Sequence, residues 1–346
     1  MNERANFSVA RVVAEHRGVY QVKNADGEYL ARVTGKTMHE AKSREAYPVV
    51  GDWVTLSDIS GEQATIQAIL PRHSIIKRRY GQRDKSGEKH EVQIIATNID
   101  AALIVESVGR DYSLNRFERY AALVRESDIQ PVLVLNKIDL LTEEELQERL
   151  AELRERFVGV DILPTSTKTE NGLAELRGYL QKDKTYCFLG SSGVGKSSLI
   201  NRLLGTEEVR TGEISEYADR GKHVTTSRQM YFLESGAMVI DNPGIREVGL
   251  VDAGSGVDAS FDEIALRAQR CKYADCTHTH EPGCAVRAAV ESGELDDGKY
   301  SNYTTLKKEA EYYERDAVER REHDRTFGKF IKRTKADLKR LEDFGE

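Results

Sequence analysis

The stretch GSSGVGKSSL, residues 190–199, has the spacing of a phosphate-binding loop: Gly190, four residues, then Gly195, Lys196 and Ser197. Glycines at those positions let backbone N–H groups wrap a polyphosphate. Lys196 supplies charge for the β and γ oxygens, and Ser197 can ligate Mg²⁺ at the start of a helix whose dipole favours anions. Candidate contacts are therefore Gly190, Ser191, Ser192, Gly193, Val194, Gly195, Lys196, Ser197 and Ser198. The flanks supply the required context, with TYCFL (185–189) reading as a buried strand and SSLINRLL (197–204) as an amphipathic helix.

Upstream, NKID (136–139) follows the apolar run PVLVL. A loop at the carboxyl end of a parallel strand faces a ligand crevice. There Asp139 can accept two hydrogen bonds from guanine N1 and N2, a donor pair adenine lacks. Asn136 would brace the loops, and the stem of Lys137 would cover the base. Ser166 and Thr167, in PTSTKTENG, follow another strand and can cap guanine O6 through backbone N–H groups. Downstream, DNPG (241–244) follows MVI, so Asp241 can hold the Mg²⁺ shell and the Gly244 N–H can touch a γ-phosphate. Between them lies HVTTS (223–227), where Thr226, or Thr225, would ligate Mg²⁺ when GTP orders the loop.

In the usual GTPase order the guanine motifs come last. Here they precede the phosphate loop, and five elements in this cyclic order mean a circular permutation with the sheet intact. The chain then leaves the nucleotide domain just after DNPG, so a γ-phosphate signal should reach the downstream domain. Signalling GTPases place a water-orienting Gln right after DxxG; here that position is Ile245, which cannot orient water, so turnover alone should be slow. His223 is the nearest candidate for the missing polar group, either as catalyst or as a packing and contact residue.

Outside the nucleotide region, residues 7–70 read as five short strands separated by turns such as Asn24-Ala25-Asp26-Gly27, a pattern that suits an OB-fold or an SH3-like barrel. SIIKRRYGQRDKSGEKHE (74–91) reads as a basic linker. From 92 onward, apolar strands alternate with helices, which means an α/β sheet. One helix opens with a capping box, Thr142 and Glu145, and carries Leu146, Leu150, Leu153 and Phe157 on one face. After about 255 the text is helical and polar. The expected domains are thus 1–72 (barrel), 73–91 (linker), 92–254 (permuted nucleotide domain) and 255–346 (helical metal domain).

The chain has 346 residues, 39% hydrophobic and 32% charged, with a net charge of −7. That balance excludes a uniformly basic nucleic-acid coat and leaves local patches. One runs through Arg325, Lys329, Lys332, Arg333, Lys335, Lys339 and Arg340; the linker adds Lys77, Arg78, Arg79, Arg83 and Lys85. No apolar run approaches a bilayer span, and MNERANFSVARVV has no signal-peptide core, so a cytoplasmic protein without membrane contact is expected.

Three of the four cysteines crowd into CKYADCTHTHEPGC (271–284). Cys271, Cys276, His278 and Cys284, with His280 as the alternative imidazole, give the closed tetrahedral donor set of a structural Zn²⁺ site. Cys187, in TYCFL, is expected in the core.

NKID, GSSGVGKSSLIN, GKHVTTS, DNPGIRE and the C-x4-C-x-H-x5-C cluster together resemble, over nearly the whole chain, the bacterial ribosome small-subunit-dependent GTPase A family. PGCAVRAAVESGELDDGKYSNY also looks like that family's segment after the zinc site. The resemblance implies an OB-fold barrel, GTP hydrolysis with Mg²⁺ stimulated by the small ribosomal subunit late in its assembly, and release after hydrolysis. It also implies contact with 16S rRNA through barrel and zinc domain, and His223 as the catalytic candidate; a monomer is expected. Asn242 and Val224 stand where the family commonly has Thr or Ser, and Thr. The residues alone leave a second class open, an RNA-binding module whose nucleotide only gates affinity. Asp139 argues against a third, a P-loop ATPase or kinase.

Overall fold

The computed structural model describes residues 8–16, 18–35, 44–80, 91–109, 112–169, 171–206, 228–242 and 254–311. The first five strands are β1 (Ser8–His16), β2 (Val19–Lys23), β3 (Glu28–Val33), β4 (Trp53–Ser60) and β5 (Gln63–Ile69). They pair in the order β1-β2-β3-β5-β4, and β1 also pairs with β4, which closes the barrel. The β3–β5 contact is parallel and the other contacts antiparallel. This closed five-stranded order decides for the OB-fold. Alternation along the strands fills the interior with Ala10, Val12, Tyr20, Val22, Val54, Leu56 and Ile66.

The stretch expected to be a linker is partly a ribbon: β6 (Ile75–Tyr80) pairs antiparallel with β7 (Glu91–Thr97). Its Lys-Arg-Arg run concealed a strand whose partner lies a dozen residues away in sequence. Next come β8 (Ala101–Ser107), α1 (Leu114–Arg125), β9 (Gln130–Asn136), α2 (Glu143–Arg156) and β10 (Asp161–Thr165). These are followed by α3 (Ala174–Tyr179), β11 (Thr185–Leu189), α4 (Lys196–Leu204), β12 (Gln229–Phe232) and β13 (Met238–Asp241). The sheet order is β10-β9-β8-β11-β13-β12, parallel throughout except for β12. The central strands are apolar on both faces. Ala102, Ile104, Leu133 and Leu135 pack with α1 and α2; Leu103, Val105, Val132 and Val134 pack with α3 and α4. Thr142 and Glu145 form the reciprocal capping box that starts α2.

Barrel and sheet share β1, where Ala14 pairs with Gln229 of β12 while Val13 turns into the central core. A polar joint fixes the angle. The Asp52 carboxylate is buried and accepts from Arg72 Nε and Nη2 (2.8 and 2.7 Å), Thr97 Oγ1 (2.7 Å) and the Val49 N–H (2.9 Å). Arg11 donates to the Asn98 carbonyl (3.0 Å) and Thr185 Oγ1 (3.2 Å).

The C-terminal helices are α5 (Gly254–Ser260), α6 (Asp262–Ala268), α7 (Ala285–Glu291) and helical residues 297–311. No helix among the described residues is long and apolar enough to cross a membrane. Val257, Phe261 and Ile264 join the core formed with α1. Contact between α5 and α1 is so close that a Cβ on Gly256 would lie 2.1 Å from the Ala122 carbonyl oxygen. Glu126 accepts from the Gly256 N–H (2.7 Å) and Ser255 Oγ (2.9 Å). Gly256→Ala is therefore expected to destabilise the protein by about 1–3 kcal/mol through overpacking, although alanine favours helix by about 1 kcal/mol. Denaturant unfolding checks this, and unchanged or raised stability would contradict the close packing.

Candidate functional site

Because β9, β10, β11 and β13 run parallel, the segments after them emerge at one edge of the sheet. The phosphate loop follows β11. Gly190 adopts φ +137°, and a Cβ there would lie 2.3 Å from the Val105 carbonyl oxygen of β8; Gly195 adopts φ +103° against Asn136 Nδ2. Both positions need glycine, for backbone conformation and for space.

Lys196 is buried, and its ammonium donates to the loop's own carbonyls, Gly190 O and Ser191 O, both at 2.7 Å. Burial lowers its pKa, while Asp241 and Glu106 counter that effect. Ser197 Oγ lies 3.4 Å from Asp241 Oδ2. Asp241 has its pKa raised by burial, against the pull of Lys196 and Ser197. Its Oδ1 is buried with no hydrogen-bond partner among the described residues. A buried, unsatisfied carboxylate oxygen beside a serine hydroxyl fits a hydrated divalent cation.

The structure brings NKID to this loop. Asn136 is buried; its Nδ2 donates to Val194 O (2.8 Å), and its Oδ1 accepts from Thr165 Oγ1 (3.1 Å). One amide thus ties together the phosphate loop, its own strand β9 and the end of β10. Lys137, at φ +65°, donates from Nζ to Gly193 O at 2.8 Å. The Ser166 hydroxyl donates to Asp139 Oδ1, fixing the carboxylate. The Ser166 backbone N–H is taken by Gly172 O (2.8 Å), so in this conformation that donor is engaged within its own loop. Ser192 and Ser198 lie on the loop and the first turn of α4. Asn242, buried after Asp241, donates to Cys187 Sγ at 2.9 Å. Cys187 is a core thiol whose pKa burial pushes up to about 12. His223, Val224, Thr225, Thr226, Gly244 and Ile245 lie outside the described residues, as do Arg83, Lys85 and the basic run from Arg325 to Arg340.

Sequence reading missed a buried charge beside the loop. Glu106, near the end of β8, is fully buried and takes Arg116 Nη1 on both oxygens, at 3.1 and 2.9 Å. An acid directly after the apolar run AALIV (101–105) was the available signal.

The second cluster is a candidate metal centre. Ligand atoms of Cys271, Cys276, His278 and Cys284 all lie within 4.8 Å of one another. Cys271 Sγ and Cys284 Sγ are 3.9 Å apart, and each is 3.5 Å from His278 Nδ1. Tetrahedral Zn²⁺ with ordinary bond lengths requires S···S of about 3.8 Å and S···N of about 3.5 Å. The donor set fits. Burial lowers the His278 pKa, which keeps the imidazole neutral as a ligand must be. At Cys271 burial pushes the thiol pKa up, but hydrogen bonds from the Ala285 and Val286 backbone N–H groups and from Cys276 and Cys284 together draw it down. His280 lies outside this group, with its Nδ1 on Thr279 Oγ1 (2.8 Å).

Known proteins carry the same architecture. The RsgA GTPase family model matches residues 69–251. Small ribosomal subunit biogenesis GTPase RsgA 2 of Lactiplantibacillus plantarum is 44% identical over 304 residues, covering 88% of this chain and 84% of that protein. The corresponding RsgA of Opitutus terrae is 42% identical over 318 residues, covering 89% and 84%. Among solved structures, YjeQ from Thermotoga maritima aligns with a TM-score of 0.64 at 27% identity, covering 88% of this chain and 98% of that one. YloQ, a circularly permuted GTPase, shares the fold at a TM-score of 0.63 and 23% identity, covering 90% and 98%. With over half of its length matched by the family model and relatives above 40% identical across most of it, this chain belongs to the RsgA GTPase family.

Proposed function

We propose that this protein hydrolyses GTP as a cytoplasmic maturation factor of the small ribosomal subunit, with turnover stimulated by that subunit and release following hydrolysis. The observation that carries the nucleotide half is the Asn136 side chain, which joins the phosphate loop to the strands bearing the guanine motifs. The ribosomal half rests on the relatives, which are named small ribosomal subunit biogenesis GTPases.

In this reading backbone N–H groups of residues 190–198 hold the phosphates, and Lys196 leaves the Gly190 and Ser191 carbonyls to bind them. Ser197 and Asp241, with Thr226, hold Mg²⁺, which neutralises phosphate charge when bound. Asp139, held by Ser166, reads guanine N1 and N2; Lys137 covers the base, Thr167 caps O6 with Ser166 shaping the loop, and Gly244 senses the γ-phosphate. Ile245 cannot orient water, so His223 is the candidate for that task. Zn²⁺ on Cys271, Cys276, His278 and Cys284 holds the C-terminal helices together, and 16S rRNA meets the barrel, the zinc domain and the basic segments.

GTP turnover should be slow alone and rise by about tenfold or more with purified small subunits, with no such rise on large subunits. Tight GTP binding without stimulation would instead favour a nucleotide-gated RNA-binding protein. Asp139→Asn is expected to move preference from GTP toward xanthosine triphosphate in competition binding; an unchanged preference would remove the guanine assignment. Elemental analysis should find one zinc per chain. Stripping it should reduce helical circular dichroism and expose residues 254–311 to protease, and a metal-free protein equally resistant would overturn the structural role.

A further inference from the structure

We propose that the Glu106–Arg116 pair, a buried acid held by a partly exposed arginine, is an electrostatic positioning element of the nucleotide site, setting how tightly the phosphate loop holds polyphosphate without affecting recognition of guanosine. The inference rests on the nucleotide reading above.

Glu106 lies where two functional segments meet. Along β8 it pairs with Leu135 of β9, one residue before the Asn136 that braces the phosphate loop. On the other side β8 lies against β11, and the Val105 carbonyl touches Gly190, the first residue of the loop. Residues Ala101 to Val105 are all apolar and buried, so an aliphatic side chain at 106 would complete the strand at lower cost than a charge. An anion beneath a loop that must attract anions is also unfavourable for binding. Arg116 offsets it by engaging both carboxylate oxygens from the first turn of α1.

The same face of α1 reaches the loop one turn later. Tyr120 is four residues beyond Arg116 and is buried; burial, with the nearby Glu106 charge, raises its pKa to about 12, and Ser191 of the loop acts against that shift. The field of Glu106 reaches both Tyr120 and Lys196. The phosphate loop therefore feels a balanced pair. Neutralising either partner changes the charge beside the loop by one unit of known sign, and the effect of that change must scale with the charge of the ligand.

The test is a ligand ladder of guanosine, GMP, GDP and GTP, competed against a fluorescent GDP with magnesium present throughout, for the parent and three variants. Arg116→Gln, which removes the arginine's positive charge from beside the acid, is expected to weaken GTP by about tenfold or more, GDP by less, and guanosine by under about twofold. Glu106→Gln, which leaves the arginine, should tighten GTP and leave guanosine unchanged. The double variant should return to near the parent.

A loss equal across the ladder would mean that the pair merely supports the fold and would overturn the proposal. A well-folded Arg116→Gln protein with parental GTP affinity would also overturn it. Should Arg116→Gln not fold, Glu106→Gln carries the test by its opposite sign, and failure to tighten GTP counts against the proposal. A parent that binds no guanine nucleotide would sink the nucleotide reading itself, a result distinct from a flat ladder in a protein that binds GTP.

Discussion

Parallel alignment of β9, β8, β11 and β13 is the constraint on which the site depends. In a parallel sheet every strand ends at the same edge, so loops far apart in sequence converge without contacting one another during the chain's passage. Here the segments after Asn136, Thr165, Leu189 and Asp241 share one edge. Convergence depends on strand order in space, not on where the chain begins. Circular permutation is therefore tolerated chemically: the cut moves the entry and exit of the chain and leaves the hydrogen-bonded neighbours of each loop unchanged. What it alters is attachment. The barrel joins through β1 and β12 at the antiparallel edge of the sheet, where an unpaired strand would otherwise be exposed.

That attachment relies on charges that are costly to bury. Asp52 accepts four hydrogen bonds, and its buried position is sustained only because the barrel, Arg72 and Thr97 all supply donors. Separating barrel from sheet would leave the carboxylate short of partners in an apolar setting. Gly51 records the same closeness, since a Cβ there would lie 2.2 Å from the Thr97 carbonyl oxygen.

Much of the site was legible because its chemistry is local. Phosphate loop, NKID and the cysteine spacing each concentrate backbone or ligand requirements within a few residues, and so did the five barrel strands, through period-2 alternation. Choosing between OB-fold and SH3-like barrels required pairing, above all the parallel β3–β5 contact, which no local pattern encodes. β6 was hidden because its basic residues carry loop-like polarity and its pairing is with a separate segment. The imidazole was settled by tertiary context as well: His278 adopts φ +61°, and Tyr300 donates to its carbonyl at 2.6 Å, holding it inward, whereas His280 lies outside the ligand group. The N–H of Ser166 illustrates a further limit. Whether a backbone donor is free depends on loop closure at Gly172, which sequence spacing does not show.

Helix α1 explains why the C-terminal unit is fixed and not merely tethered. Glu118, on this helix, is almost fully buried and accepts from Arg156 Nε and Nη2, at 2.7 and 3.2 Å, and from Asn302 Nδ2. Arg156 in turn reaches Asp296, and Arg119 pairs with Glu309. A charge with one partner in the nucleotide domain and another in the C-terminal helices is satisfied only when both are in place. Losing either side leaves a buried carboxylate underpaired, a cost of about 3–5 kcal/mol when a buried pair is broken outright. The apolar contact of Val257, Phe261 and Ile264 supplies area, which is non-directional and would permit sliding. The Glu118 network, Glu126 on the start of α5 and the close approach of Gly256 to Ala122 are directional, so they select one seating from the many that burial alone would allow.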